Sequence, residues 1–288
     1  LFPYRNQRTV ARAVSSAGIG MHSGEKVNIC IKPAPINHGI KFQRIDLPDR
    51  PIISAHFNMV VDTSLATVLG YNGFIISTVE HLMATFAGLS IDNALVELDT
   101  YELPIMDGSA APFTEMIKSA GIVEQSRPKY FFVVKEPIEL EDDGKSVALY
   151  PEDGFKITCT IDFDHPLVKR QSLCIEVSDK SFESDICRAR TFGFIQDIEY
   201  LKTYGFARGG SLDNAIVISR NEILNSEGLR YPDEFVRHKI LDCIGDFSLL
   251  GMPILGHAVL YKSGHSFNHA FLNKFLEQKG AWETQTLL

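Results

Sequence analysis

The sequence predicts an α+β fold built from two related domains, and three observations carry that expectation. Short runs of alternating apolar and polar residues recur along the chain, interrupted by a few longer segments with helical spacing. The order of strand-like and helix-like segments in the second half repeats that of the first. Two helical segments also echo one another. TVEHLMATFAGLS and FVRHKILDCIGDFS each place a His after an apolar-plus-charged pair and a Gly seven residues beyond it. Two α+β units packed with their helices together satisfy this pattern. The polar stretch QSRPK, residues 125–129, reads as the linker, giving expected domains at 1–126 and 127–288.

In the first half, residues 8–14 are a short strand candidate. AGIGMHSG, residues 17–24, is a glycine-rich loop holding His22. It precedes a strand rather than a helix, which disfavours a phosphate cradle. Residues 26–32, KVNICIK, alternate like a half-buried strand ended by Pro33 and Pro35. Residues 40–42, 52–55 and 66–69 read as further strands, with 58–64 a connecting loop. ISTVEHLMATF, residues 76–86, reads as a helix with Ser77 or Thr78 as its cap and Gly88 as its stop. A strand at 93–98 follows. Then comes the turn-rich ELPIMDGSAAP, where Asp107 reads as a turn or capping carboxylate. A helix over 111–120 ends at Gly121.

In the second half, residues 130–134, 146–150, 155–161 and 172–177 are strand-like. ARTFGF leads to a helical stretch at 196–204, a glycine pair (Gly209, Gly210) and a strand at 214–218. HAVLY is a strand, KSGHS a loop, and Ser266 caps a last helix to about residue 279. That helix carries Phe267, Phe271, Leu272, Phe275 and Leu276 on one face.

Between these lies the segment with the most chemistry. Residues 235–251, FVRHKILDCIGDFSLLG, read as one helix with Val236, Ile240, Leu241, Ile244, Phe247 and Leu250 at helical spacing. Gly251 and Pro253 supply the stop. His238, Asp242 and Asp246 are four apart and share one stripe, where a solvated face would carry Glu and Lys. An imidazole one turn before a carboxylate can bind one cation with both side chains, and zinc accepts both ligand types. The pair fits equally a partly buried His with an i,i+4 hydrogen-bond partner. Packing the two halves helix to helix would bring Glu80 and His81 beside His238 and Asp242. Two histidines and one carboxylate would then converge, the three-ligand pattern of catalytic zinc sites.

Composition narrows the function classes. At 45% hydrophobic and 22% charged, the 288-residue chain can bury a sizeable core. A net charge of −8 argues against a general nucleic-acid binder, whose phosphate contacts need a basic surface. The longest nearly apolar run, residues 249–261, is broken by Gly251, Pro253, Gly256 and His257 and is too short for a bilayer span. LFPYRNQRTV has no apolar core of signal-peptide length, so export is not indicated. The five cysteines are odd in number and none is spaced C-x-x-C, which points to free thiols in a reducing cytoplasm. Cys30, Cys159 and Cys174 lie in strand-like runs and are expected in the core. His22, His38, His56, His165, His257 and His269 read as surface or satisfied structural groups.

The motifs GIGMHSGEK, STVEHL, ELPIMDGSAAPF, ARTFGF, RGGSLDNAIV, EGLRYPDEFVRHKILDCIGD and SGHSFNHAF, taken in order, resemble the UDP-3-O-acyl-N-acetylglucosamine deacetylase family, the zinc amidases of lipid A biosynthesis. The resemblance spans essentially the whole chain. It implies a sheet–helix–helix–sheet sandwich of two α+β domains, each with an insert, the second at about 193–217. No fused dehydratase domain is expected. By the same resemblance His81, His238 and Asp242 would bind one Zn2+, with Fe2+ or cobalt fitting the same ligands. Glu80 would be the general base. Thr191 would help stabilise the oxyanion, and His265, held by Asp246, would be the cation beside the leaving amine. Lys239 would reach the substrate, with Lys262 near the diphosphate and Phe163 near the uracil. Phe192 and Gly193 would line the sugar site, and Gly210 is a further substrate-binding position. Met21, Ile198, Ala207, Ala215 and Val217 would line an acyl passage. The implied partner is a UDP-linked acylated glucosamine, with no nucleic acid and at most peripheral membrane contact. A cytoplasmic monomer, near the inner membrane face, is the expected setting.

Two other classes compete with this reading. A zinc peptidase is disfavoured because the chain lacks H-E-x-x-H. A lipid-binding or scaffold protein with a structural metal is disfavoured because structural zinc sites are usually closed and Cys-rich.

Overall fold

The structure is a computed structural model that describes residues 5–287. The first four residues of the stretch weighed above as an export signal, and residue 288, lie outside the described residues. Among the described residues the chain forms two main sheets with a double layer of helices between them. The first sheet has the order Val14–Ile19, Lys26–Pro33, Ala94–Leu98, Ile40–Arg44, Ile52–Ser54. Its central strand, Ala94–Leu98, runs antiparallel to Lys26–Pro33 and parallel to Ile40–Arg44. The second sheet repeats this arrangement. Its central strand, Ile254–Tyr261, runs antiparallel to Lys145–Tyr150 and parallel to Phe155–Asp162. Tyr130–Val134 also joins it in parallel, and Trp282–Thr286, Ile138–Asp142 and Arg170–Glu176 form the edges.

In each half a helix precedes the central strand and another follows it. These are α1 (Glu80–Gly88) and α2 (Ala111–Ala120) in the first half. A short α3 (Asp179–Ser181) and an insert helix α4 (Ile195–Thr203) precede the matching pair α5 (Glu234–Ser248) and α6 (His265–Glu277). One apolar cluster joins the first sheet to α1 and α2 through Ile29, Phe42, Val96, Leu82 and Ile117. The other joins the second sheet to α5 and α6 through Ile157, Leu260, Leu241, Phe247 and Phe271. Each half also carries an insert. A three-stranded sheet (Val60–Asp62, Val68–Tyr71, Phe74–Ile76) precedes α1, and the parallel pair Phe192–Phe194 and Ile216–Ile218, with α4, precedes α5. No helix of the described residues is long and apolar enough to cross a membrane.

Several local expectations are corrected. The helix expected from residue 76 begins at Glu80, because residues 76–78 are tied elsewhere. Ile76 is in a strand, Ser77 exchanges main-chain bonds with Tyr101 and Leu103, and Thr78 sits at φ 61°. Neither Ser77 nor Thr78 caps it. Ser266 is not a cap either, since α6 starts one residue earlier behind an extended Gly264. The linker expected at 125–129 is mostly strand. Ile122–Pro128 pairs antiparallel with the buried strand Asn6–Val10, and its own side chains are mostly exposed, which tolerates polar residues. The strand expected at 8–14 is split into Asn6–Val10 and Val14–Ile19, and the latter takes up the start of the expected glycine loop. The loop expected at 58–64 contains the strand Val60–Asp62. Cysteines are free, but Cys174 is exposed and Cys30 half-buried rather than in the core, because Cys174 lies on an edge strand.

The closest approach of the helix layers is between α1 and α5. A Cβ on Gly245 would lie 2.1 Å from the Glu80 carbonyl oxygen, so the two backbones touch where a side chain has no room. Helix propensity alone would favour Ala here by about 1 kcal/mol. The clash is with main chain, which cannot swing aside, and overpacking of this kind costs about 1–3 kcal/mol. Gly245→Ala is therefore expected to lower the urea midpoint and to depress activity. An unchanged midpoint would mean the helices have slack at this crossing.

Candidate active site

The crossing of α1 and α5 places the polar stripe of one helix against the first turn of the other. Glu80 and His81 are each 4% exposed, His238 is 2% and Asp242 is 4%. His81 Nε2 lies 3.7 Å and His238 Nε2 3.4 Å from Asp242 Oδ1. The donor atoms of His81, His238 and Asp242 all fall within 4.8 Å of one another. His238 Nδ1 donates to the Ala189 carbonyl at 3.0 Å, which leaves the Nε2 lone pair facing Asp242. Burial holds the His238 pKa down to about 3, against the pull of Asp242, so the ring is neutral. Burial alone would raise the Asp242 carboxyl, but His238 and Lys239 outweigh it and hold it well below the usual range. Asp242 Oδ1 is buried with no hydrogen-bond partner, whereas Oδ2 accepts from Lys239 Nζ at 2.9 Å. An orphaned carboxylate oxygen facing imidazole nitrogens is costly for a protein alone and suits a bound cation.

Beside this group stands an acid–base pair. Burial raises the Glu80 pKa, opposed by His265 and His81. For His265, burial acts downward, but Asp246 overrides it and lifts the pKa to about 10, so this ring is a cation. Its Nε2 lies 3.7 Å from Glu80 Oε1. Its Nδ1 donates to Asp246 Oδ2 at 2.8 Å. Asp246 also accepts from the Thr67 hydroxyl at 2.7 Å and from Asn268 Nδ2 at 2.8 Å. Thr67 and Asn268 escaped the sequence reading, and no local pattern marks them.

These groups lie in a cavity of about 900 Å³. Of the residues anticipated from sequence, Glu80, His81, His238, Lys239, Asp242, His265, Thr191, Phe192 and Gly193 line it, as do Met21, Ile198, Ala207, Gly210, Ala215 and Val217. Asp246 stands behind His265 as its hydrogen-bond acceptor. Phe163 and Lys262 are not among the lining residues. Phe163 packs on Phe192 with ring centroids 5.8 Å apart, and Lys262 pairs with Asp162 at 3.4 Å. Thr191 is set by its amide, which donates to the Gly108 carbonyl at 2.8 Å. Asp107 keeps a turn role, accepting from Ser109 and pairing with Arg230. Of the remaining histidines, His257 contacts Thr158, His56 contacts Asn58, and His22 joins the cavity wall.

Three converging donors able to hold a metal ion, with a buried carboxylate and an imidazolium beside them, are the parts that metal-dependent hydrolases use, here on an α+β fold. The family model LpxC, UDP-3-O-acyl N-acetylglycosamine deacetylase, matches residues 7–277, and the chain belongs to that family. It is 52% identical over 278 residues to the UDP-3-O-acyl-N-acetylglucosamine deacetylase of Myxococcus xanthus, covering 96% of this chain and 88% of the relative. It is 49% identical over 282 residues to the protein of that name in Teredinibacter turnerae (97% and 93% covered). It is 50% identical over 283 residues to that of Idiomarina loihiensis (97% and 92% covered).

Proposed function

We propose that the chain hydrolyses the N-acetyl group of a UDP-3-O-(3-hydroxyacyl)-N-acetylglucosamine and releases acetate, the committed step of lipid A biosynthesis. The observation that carries this reading is the convergence of His81, His238 and Asp242 beside Glu80 and His265, in a chain matched to the family over nearly its whole length. His81, His238 and Asp242 would hold one zinc ion, and Fe2+ would fit the same donors. Zinc held there would supply a Lewis acid that activates water and polarises an amide carbonyl.

The chain's own residues do the rest. Glu80, ionised, takes a proton from the attacking water as its oxygen bonds to the acetamide carbon. The Thr191 hydroxyl donates to the oxygen that gains charge. His265 gives its Nε2 proton to the amide nitrogen as the C–N bond breaks, so the products are acetate and a free amine. Asp246 keeps that imidazole cationic and oriented, and Lys239 adds positive charge on the substrate side. Phe192 and Gly193 line the sugar site, with Gly210 a further contact. Phe163 packs on a cavity-lining ring, and Lys262 lies two residues before a cavity-lining glycine. These neighbours support the family-implied roles of Phe163 near the uracil and Lys262 near the diphosphate, though neither lines the cavity itself.

In this reading residues 1–126 and 127–288 are the two domains, and the insert at about 193–217 forms the acyl passage. The chain would be a cytoplasmic monomer with at most peripheral contact to the inner membrane face; the free cysteines suit a reducing compartment, and the net charge of −8 disfavours nucleic acid. The test is acetate release from the UDP-acyl-sugar with and without a chelator. Absence of acetate overturns the activity, and chelator-insensitive release overturns the metal.

The acyl chain is several bonds from the amide, so only binding can make it matter. Each buried CH₂ contributes up to ~0.8 kcal/mol. Imperfect burial and chain ordering leave several kcal/mol for a chain of about ten carbons. Even ~4 kcal/mol is about a thousandfold in kcat/KM. A substrate without its 3-O-acyl group is expected to be cleaved orders of magnitude less efficiently. Ala215→Trp should block the passage and penalise long-chain substrate while sparing the deacylated one. An unchanged ratio of the two kcat/KM values removes Ala215 from the lining.

A further inference from the structure

We infer that Thr67 is a positioning residue that sets the distance between the two acid–base groups, Glu80 and His265. The inference rests on the roles proposed for those two residues above. Thr67 is 2% exposed and stands at the entry to the strand Val68–Tyr71, in the insert of the first half. Its two polar arms go to different halves of the molecule. The hydroxyl donates to Asp246 Oδ1 at 2.7 Å, on α5. The amide donates to Glu80 Oε2 at 3.1 Å, on α1. Its carbonyl accepts from Val79 at 3.3 Å, immediately before α1, so the residue is locked to the helix whose carboxylate it holds.

Each arm selects one oxygen of a carboxylate. The His265 Nδ1 atom lies 2.8 Å from Asp246 Oδ2 and 3.1 Å from Oδ1, so both oxygens are within its reach. The Thr67 hydroxyl on Oδ1 and Asn268 Nδ2 on Oδ2 at 2.8 Å together hold the carboxylate in place, and the Thr67 hydroxyl also lies 3.3 Å from His265 Nδ1, so it sets the direction of the ring and of Nε2. The Thr67 amide occupies Glu80 Oε2 and leaves Oε1 turned toward that Nε2. The resulting separation of 3.7 Å is too long for a direct hydrogen bond. Base and acid are therefore held facing one another at ion-pair distance, without the direct hydrogen bond that would pass the proton between them.

Thr67→Val removes the hydroxyl at nearly constant shape and keeps the amide. It is expected to lower kcat by about 10- to 100-fold, the usual effect of a small misplacement of reacting groups, with KM nearly unchanged and full metal content. Thr67→Ser restores the hydroxyl and should recover most of kcat. On the resting protein, the His265 Nδ1–H resonance in NMR should shift in Thr67→Val and return in Thr67→Ser. Native kcat in Thr67→Val, a Thr67→Ser variant as impaired as Thr67→Val, an unmoved His265 resonance, or metal lost in proportion to activity each overturns the inference. Failure of the underlying roles would show separately, as native turnover in Glu80→Gln or Asp246→Asn.

Discussion

Glu80→Gln is expected to keep its metal and its fold while turnover falls by roughly 10²–10⁴-fold, the usual worth of general acid–base catalysis. The amide side chain has the same shape and can still accept from the Thr67 amide, but it cannot take a proton. Atomic absorption and steady-state rates on the same preparation check this, and near-native turnover would mean that another group is the base. The pH profile follows from the same residues. As the proposed base Glu80 would act ionised, and burial raises its pKa, so activity should be lost as pH falls through that raised value. As the proposed acid His265 would act protonated, with a pKa raised to about 10, so activity should be lost as pH rises toward that value. A divalent cation held by His81, His238 and Asp242 would oppose the imidazolium and bring the alkaline limb below that value. Both limbs belong to coupled groups. Asp246→Asn withdraws the charge that raises His265 and should move the alkaline limb to lower pH, which kcat/KM measured across the range will show.

Asp242→Ala is expected to lose bound metal and activity together. Asp242 is the anionic member of the donor group, and its Oδ1 faces both imidazoles. Without it two imidazoles remain, with the Lys239 ammonium close by and no longer paired with Asp242. Asp242→Asn keeps the size and removes the charge, so it separates packing from ligation. Full metal content in Asp242→Ala would take this residue out of the ligand set.

The parts of this molecule that were legible in its sequence are those governed by local periodicity. The stripe His238, Asp242, Asp246 follows from helix geometry alone, and the echo with Glu80–His81 anticipated that the two helices would meet. The start of α1 was not legible, because main-chain bonds from residue 77 to residues 101 and 103 prevent the helix from beginning at its apparent cap. Edge strands were the other blind spot. Ile138–Asp142 (IELED) and Trp282–Thr286 (WETQT) are largely polar because only one side of each is paired, and so they resemble loops. Thr67 and Asn268 were invisible for a different reason. Their side chains acquire meaning only through partners 179 and 22 residues away.

The metal-ligand candidates sit on helices more than half the chain apart in sequence, and each helix is rooted in its own apolar core. That separation dictates a timetable. While the polypeptide is being synthesised, His81 emerges long before His238 and Asp242, and the first half alone cannot chelate an ion through all three donors. Small zinc modules fold only when the ion arrives. Here two cores would supply the folding energy beforehand, so an ion held by these donors would enter a finished apoprotein. Metal starvation should therefore leave a reservoir of folded, idle molecules that become active on resupply without new protein synthesis.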